Sequence, residues 1–185
     1  MGCSDINVWD HDIVEEHNQP NQLYGAEYIG QAKAVALGIE VNRLTGILPG
    51  QMRLRYKDQL LGDSPKRVVI SCVDNMEARQ EIWDQVKGQS SQRNPTLFID
   101  PRQGGEHIVI YCARTHGDVM GAKLLEENLH PSEESMELPC TAQAVIYNSM
   151  ITGGLVADLV KKHALGEKLP RRLVFDLNAL AMTKE

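Results

Sequence analysis

The sequence predicts an α/β fold, a largely parallel sheet flanked by helices, and three observations carry that prediction. Residues 67–73 (RVVISCV) form a nearly continuous apolar run, the pattern of a strand covered on both faces. Met76, Arg79, Ile82, Trp83 and Val86 follow directly at helical spacing. Strand and helix patterns then go on alternating along the chain, the signature of crossover connections. Length agrees: 185 residues, 42% of them apolar, are enough for one ordinary domain with a substantial core.

Residues 6–9 read as a short strand ending at Asp10, and residues 15–25 are polar and turn-rich, with Pro20 and Gly25. Residues 27–44 have helical spacing, with Ile29, Leu37 and Val41 on one ridge. Residues 51–57 alternate, with Met52, Leu54 and Tyr56 on one face, as in a half-buried strand. After the strand at 67–73, Asp74 and Asn75 are helix-capping types. Residues 88–95 form a loop, and two strands at 96–99 and 106–112 are joined by a turn at Gly104-Gly105. Residues 114–139 are irregular, with a short helix near Lys123. Residues 141–165 are the longest helical candidate, with a bend site at Gly153-Gly154. A final strand spans 172–176. These elements predict one domain over residues 1–176 and a mobile tail at 177–185.

Composition removes several function classes. A formal charge of −6 and a pI near 5.5 disfavour a nucleic-acid binder, which needs a basic face. Aromatic residues make up only 5%, too few for base-stacking platforms. No run of about 18 apolar residues offers a transmembrane helix, and MGCSDINVWDHD lacks the charged and apolar regions of a secretory signal. Ile6 stands where a myristoylation signal needs Ser or Thr. Cys3, Cys72, Cys112 and Cys140 form no CxxC pair, which points away from a zinc ribbon and toward a reduced, cytoplasmic setting.

In parallel sheets ligands bind beyond the carboxyl ends of the strands, and Asp10 and Asp74 both sit at such ends. Asp10 suits ribose hydroxyls, although a strand-end aspartate more often caps a turn. Asp74 suits Mg²⁺, which takes a few carboxylate oxygens together with phosphate and water, and it equally suits a helix N-cap. Lys33 falls on the Ile29–Leu37–Val41 ridge, where it either snorkels from the core or reaches a phosphate. Cys140 lies where a loop meets a helix start, a place that lowers a thiol pKa, whereas a free cysteine is usually a small core residue. Cys72, within the apolar run, is expected in the core. Arg102 follows a strand and is placed to pair a carboxylate or a phosphate. His107 and His116 have no partner at metal-ligand spacing.

Taken together, these residues resemble a known family. VWDHDIVEEHNQPNQLYGAEYIGQAK is similar to its pattern Asp-x-Asp-x-Val, then Asn, Arg-Gln and Ile-Gly-x-x-Lys. ISCVDNMEAR resembles its Asp-Asn-x-x-x-Arg segment, and CTAQAVIYNSMITGGLVADLVKK its late helix. The family is the ThiF/MoeB/HesA group, which includes the ubiquitin-activating enzymes. The resemblance runs from about residue 6 to residue 168. It implies a Rossmann-like sheet, ATP and Mg²⁺ as cofactors, and adenylation of the C-terminus of a ubiquitin-like or sulfur-carrier protein by a homodimer. Carried over by position, Asp10 would contact the ribose, and Asn18 and Gln22 the phosphate side. Lys33 would offset charge developing on the α-phosphoryl group and Asp74 would hold Mg²⁺. Cys140 falls near the family's thioester or persulfide cysteine.

Three departures qualify what the resemblance implies. The family's first strand, glycine loop and first helix occupy roughly 30 residues before the ribose aspartate, and nine precede Asp10 here. Asn21 replaces the arginine before Gln22, and no CxxC zinc motif is present. The missing loop predicts weak or absent ATP-dependent activity and leaves strand edges that another copy or another chain would cover. A non-catalytic binding or assembly module that keeps the fold is the alternative. A nicotinamide dehydrogenase is disfavoured, because its glycine fingerprint is absent too.

Overall fold

The computed structural model describes residues 5–18, 22–54, 56, 67–130 and 146–185. One domain was the expectation from sequence; the chain divides into two compact units, Met1–Gln59 and Leu60–Glu185. The α/β class holds, and each unit contains one strand–helix–strand crossover with parallel pairing.

In the first unit β1 (Asn7–Trp9) pairs in parallel with β2 (Gly50–Met52), with Val8 opposite Gln51. The connection runs through α1 (Lys33–Thr45). Gly46 ends this helix in the left-handed conformation, φ 74°, and its N–H reaches the Asn42 carbonyl, the usual glycine termination. The helix packs very close to β2: a Cβ on Gly38 would lie 2.1 Å from the Gln51 amide. Val14, Tyr28 and Ala36 form the small core of this unit, with Tyr24 against it. The strand expected over 51–57 is shorter than its alternation suggests and ends at Met52.

The second unit holds a five-stranded sheet in the order β3–β4–β5–β6–β7. Its strands are β3 (Val68–Ile70), β4 (Leu97–Gly104), β5 (His107–Arg114), β6 (Arg172–Asp176) and β7 (Ala181–Lys184). Its helices are α2 (Met76–Gln89), α3 (Val119–Glu126) and α4 (Ile146–Leu165). β3 and β4 are parallel, because α2 carries the chain back between them. From β4 onward the pairing is antiparallel. The β4–β5 link is a tight turn through Gly105, φ 58°, which forces a hairpin rather than a crossover. Leu97 and Ile99 of β4 pack with Ile108, Ile110, Cys112 and Leu173 against Val156 and Leu159 of α4. Phe98, between them, points to the opposite face and meets Trp83 of α2 at 5.2 Å between ring centroids. This alternation on a fully buried strand is the period of two at work.

Three expectations differ from the structure. The RVVISCV run was read as covered on both faces, yet β3 is half-buried and Ile70 is 42% exposed. It pairs only with β4 among the described residues, and the doubly covered strands are β4 and β5. Cys72, expected in the core, lies beyond the end of β3 and is exposed. The tail expected to be mobile instead carries β7, paired with β6 from Asp176–Ala181 to Leu173–Lys184. An aspartate turn explains the reversal: the Asp176 carboxylate accepts from the N–H groups of Asn178 (2.9 Å) and Ala179 (3.1 Å). Gly153-Gly154 leaves α4 unbroken.

Candidate functional site

Asp10 follows the last residue of β1, and its N–H extends the ladder to the Met52 carbonyl at 3.1 Å. Its Oδ1 accepts from the Asp12 N–H at 2.9 Å, so the side chain fixes the turn that leaves the strand. Residues 12–14 then run against 30–33: the Gly30 N–H donates to the Val14 carbonyl, the Val14 N–H to the Gln31 carbonyl, and the Lys33 N–H to the Asp12 carbonyl at 2.9 Å. Gly30 makes this approach possible with φ 86°, a conformation that other residues rarely adopt.

That geometry changes the account of Lys33. The residue was read as interrupting a helical ridge from Ile29, but Ile29 lies outside the helix and Lys33 is the first residue of α1. Its side chain is 12% exposed, and Nζ lies 3.2 Å from Asp12 Oδ2. The ammonium therefore stands next to Asp12, just beyond the carboxyl end of β1. The ligand atoms of Asp10, His11 and Asp12 lie within 4.8 Å of one another, a group with the spacing to hold a metal ion. Sequence reasoning assigned Asp10 alone; the signal for Asp12 was present in the Asp-x-Asp pattern itself.

Asn18 is buried, and its Oδ1 accepts from the Glu15 N–H at 2.9 Å, closing the 3-10 turn Glu16–Asn18. The Gln22 N–H donates to the Asn18 carbonyl, whereas the buried Gln22 Oε1 has no partner among the described residues. Tyr24 contributes a second reporter of Asp10. Its phenol is pushed up to about 12, first by burial and then by the Asp10 charge. Asp10→Asn is expected to lower the Tyr24 titration while leaving it above 10, because burial is the larger cause. Ultraviolet difference titration against Tyr24→Phe measures this, and an unmoved midpoint would contradict the proximity. Folding favours the neutral phenol, so stability from this group is full below pH 10 and declines as pH rises toward 12.

In the second unit Asp74 lies between β3 and α2, and it is exposed. The cap itself is Asn75, whose Oδ1 accepts from the Ala78 N–H at 2.8 Å. Asp74 is therefore relieved of capping, and one of its oxygens accepts from the Asn75 amide at 3.1 Å. Asn75→Ala is expected to cost about 1 kcal/mol in urea denaturation, the usual loss of a side-chain cap. Behind this turn Arg79 is 7% exposed and ion-paired with the fully buried Asp100. Arg102, read from sequence as placed to pair an anion, finds it internally: its Nε donates to the other Asp100 oxygen at 2.9 Å.

Cys140 lies outside the described residues. Cys112 is buried and its thiol is pushed up to about 12 by that burial, so it is an inert core residue. His107 lies 3.6 Å from Asp176, and His116 lies 3.3 Å from the Thr115 hydroxyl. Neither belongs to a metal-binding group among the described residues. A cavity of about 470 Å³ opens between the end of β5 and the start of β6, lined by Arg114, His116, Asp118, Lys168 and Arg171, and Asp10, Asn18, Gln22, Lys33 and Asp74 are not among its lining residues.

The chain has a Rossmann-like α/β fold of the MccB type. No protein-family profile matches it, and no curated protein does. Among solved structures it is similar to PaaA, with a TM-score of 0.64 and 17% identity over 96% of this chain and 62% of that one. It is similar to E. coli MccB with AMPCPP and MccA, at a TM-score of 0.66 and 13% identity over 100% of this chain and 56% of that one. For E. coli MccB with ATP the TM-score is 0.61 and the identity 12%, over 98% and 55% of the two chains. The chain thus spans roughly three-fifths or less of the length of these proteins. No helix among the described residues is long and apolar enough to cross a membrane.

Proposed function

We propose that this chain is a ThiF-type adenylating domain, which binds Mg²⁺ and ATP and activates the C-terminal carboxylate of a peptide or of a ubiquitin-like or sulfur-carrier protein. The fold shared over 98% of the chain with MccB, solved with ATP, carries this reading. Each unit, taken by itself, offers side chains of the chemistry this reading needs. Asp10 supplies a fixed carboxylate for ribose hydroxyls, and the Gln22 amide has N–H donors of the kind that phosphate oxygens accept from. Asp74 offers exposed hard oxygen ligands of the kind Mg²⁺ takes. When bound, Mg²⁺ would supply neutralisation of phosphate charge.

The chemistry needs a carboxylate oxygen to attack the α-phosphorus while pyrophosphate leaves. Lys33 offsets the charge that develops there, and its short reach from the first turn of α1 holds the ammonium at a fixed place. Asn18 would serve the phosphate side, and the Cys140 thiolate would take the acyl group from the adenylate as a thioester, with AMP leaving. A cytoplasmic setting and a homodimer belong to the same reading; a monodisperse monomer in sedimentation would count against the dimer. Turnover by the 185-residue chain is expected to be weak, because Lys33 is engaged by Asp12 and the Asn18 side-chain Oδ1 by the Glu15 N–H.

Those same internal contacts favour the second reading, a non-catalytic binding module that retains the fold. Calorimetry with ATP and Mg²⁺ separates the two. A saturable heat supports the adenylating domain, and no heat supports the module.

A further inference from the structure

We infer that Arg79 is a positioning residue that holds the turn presenting Asp74, an inference that rests on the reading of Asp74 as the Mg²⁺ ligand. Backbone pairing of β3 to β4 ends with the Ser71 N–H on the Ile99 carbonyl at 2.9 Å. Beyond Ser71 no ladder bond continues among the described residues, and the partly buried Val73 carbonyl needs another donor. Arg79 does this from the first turn of α2. Its Nη1 donates to the Ser71 carbonyl (3.4 Å) and to the Pro101 carbonyl (3.3 Å), and its Nη2 donates to the Val73 carbonyl. The guanidinium thereby grips the chain on the residue immediately before Asp74, while Asn75 caps the helix on the residue immediately after.

The anchor behind this grip is stiff. Asp100 is completely buried, binding Arg79 with one oxygen and Arg102 with the other. Arg102 in turn donates to the Asn128 carbonyl at 2.8 Å and lies 4.6 Å from the Tyr111 ring centroid. A planar guanidinium with several donors can bridge separate carbonyls and a carboxylate at once, which a lysine ammonium of the same charge does far less well. A buried ion pair is weak evidence for stability, since apolar replacements of similar volume often fold as well. Its contacts with the Ser71 and Val73 carbonyls point instead to fixing where the next carboxylate stands.

The experiment compares the wild-type protein with Arg79→Lys, Arg79→Met/Asp100→Leu and Asp74→Ala. The double variant removes the pair together and strands only Arg102, which keeps the Asn128 carbonyl and the Tyr111 ring, so the fold is expected to survive. Amide hydrogen exchange at residues 72–75 is measured alongside ATP affinity in Mg²⁺ and in EDTA. In both Arg79 variants these amides are expected to exchange at least about tenfold faster, with β4 and β5 unchanged. The gain in ATP affinity from Mg²⁺ is expected to shrink toward that of Asp74→Ala, with affinity in EDTA unaltered. Unchanged exchange at 72–75 overturns the inference, and so does a loosened turn that keeps its full Mg²⁺ dependence. Should Mg²⁺ leave wild-type ATP affinity unchanged, the function reading fails, and the exchange comparison alone decides whether Arg79 holds the turn.

Discussion

Asp100→Ala is expected to destabilise the protein by about 3–5 kcal/mol, the cost of removing one partner from a buried ionic cluster. Asp100 has no exposed surface, and the side chains of Arg79 and Arg102 are only 8% and 15% exposed. The substitution leaves two guanidinium groups with little water and no counter-ion, while their carbonyl partners remain. Urea denaturation followed by circular dichroism measures the loss. A midpoint within error of the wild type would show that the cluster is hydrated or easily rearranged. The contrast with Arg79→Met/Asp100→Leu is informative, because that pair strands only Arg102, which keeps the Asn128 carbonyl and the Tyr111 ring.

Lys33→Ala and Asp74→Ala carry the second large effect. A hydrogen bond to a charged group contributes about 1.5–3 kcal/mol, so each substitution is expected to weaken ATP binding in Mg²⁺ by about 10- to 100-fold. The two differ in EDTA: Lys33→Ala remains weak, whereas Asp74→Ala matches the wild type, since its role runs through the metal. Neither change should unfold the protein. Lys33 pairs with a half-exposed Asp12, and such surface pairs contribute roughly 0–1 kcal/mol; Asp74 is exposed and the cap is Asn75. Calorimetric titration reads both, and unaltered affinity would remove these residues from the site.

Much of the second unit was legible in the sequence because its signals are local. The capping type at Asn75, the helical spacing to Val86, the glycine turn and the strand at 172–176 all depend on neighbours within a few residues. The misplacements have non-local causes. Lys33 matched the Ile29 ridge by period alone, and only the approach of residues 12–14 to 30–33 shows that the helix starts after Gly30. The RVVISCV run and the shorter TLFID run look alike in apolarity, yet β3 pairs only with β4 among the described residues, while β4 lies inside the sheet. β7 forms through an aspartate turn whose partners lie two and three residues on, a weak signal at the start of a short terminal segment.

The candidate site shows the same division. Asp10 and Asp74 were legible as strand-end carboxylates, and both stand beyond strand ends. Asp12 was visible in its motif but unassigned, since its pairing with Lys33 spans 21 residues. The Arg79–Asp100 pair likewise spans 21 residues across the β3–α2–β4 crossover and leaves no local trace. Arg102 showed only that a cation follows a strand, without showing that its anion is internal.

The central claim is that this fold is a nucleotide-binding domain of the adenylating kind. Isothermal titration of the wild-type protein with ATP in Mg²⁺, repeated with Lys33→Ala and Asp74→Ala, tests it most directly. A saturable, Mg²⁺-enhanced heat that both substitutions suppress is the predicted result. No heat with the wild type, or a heat indifferent to both substitutions, would contradict the claim.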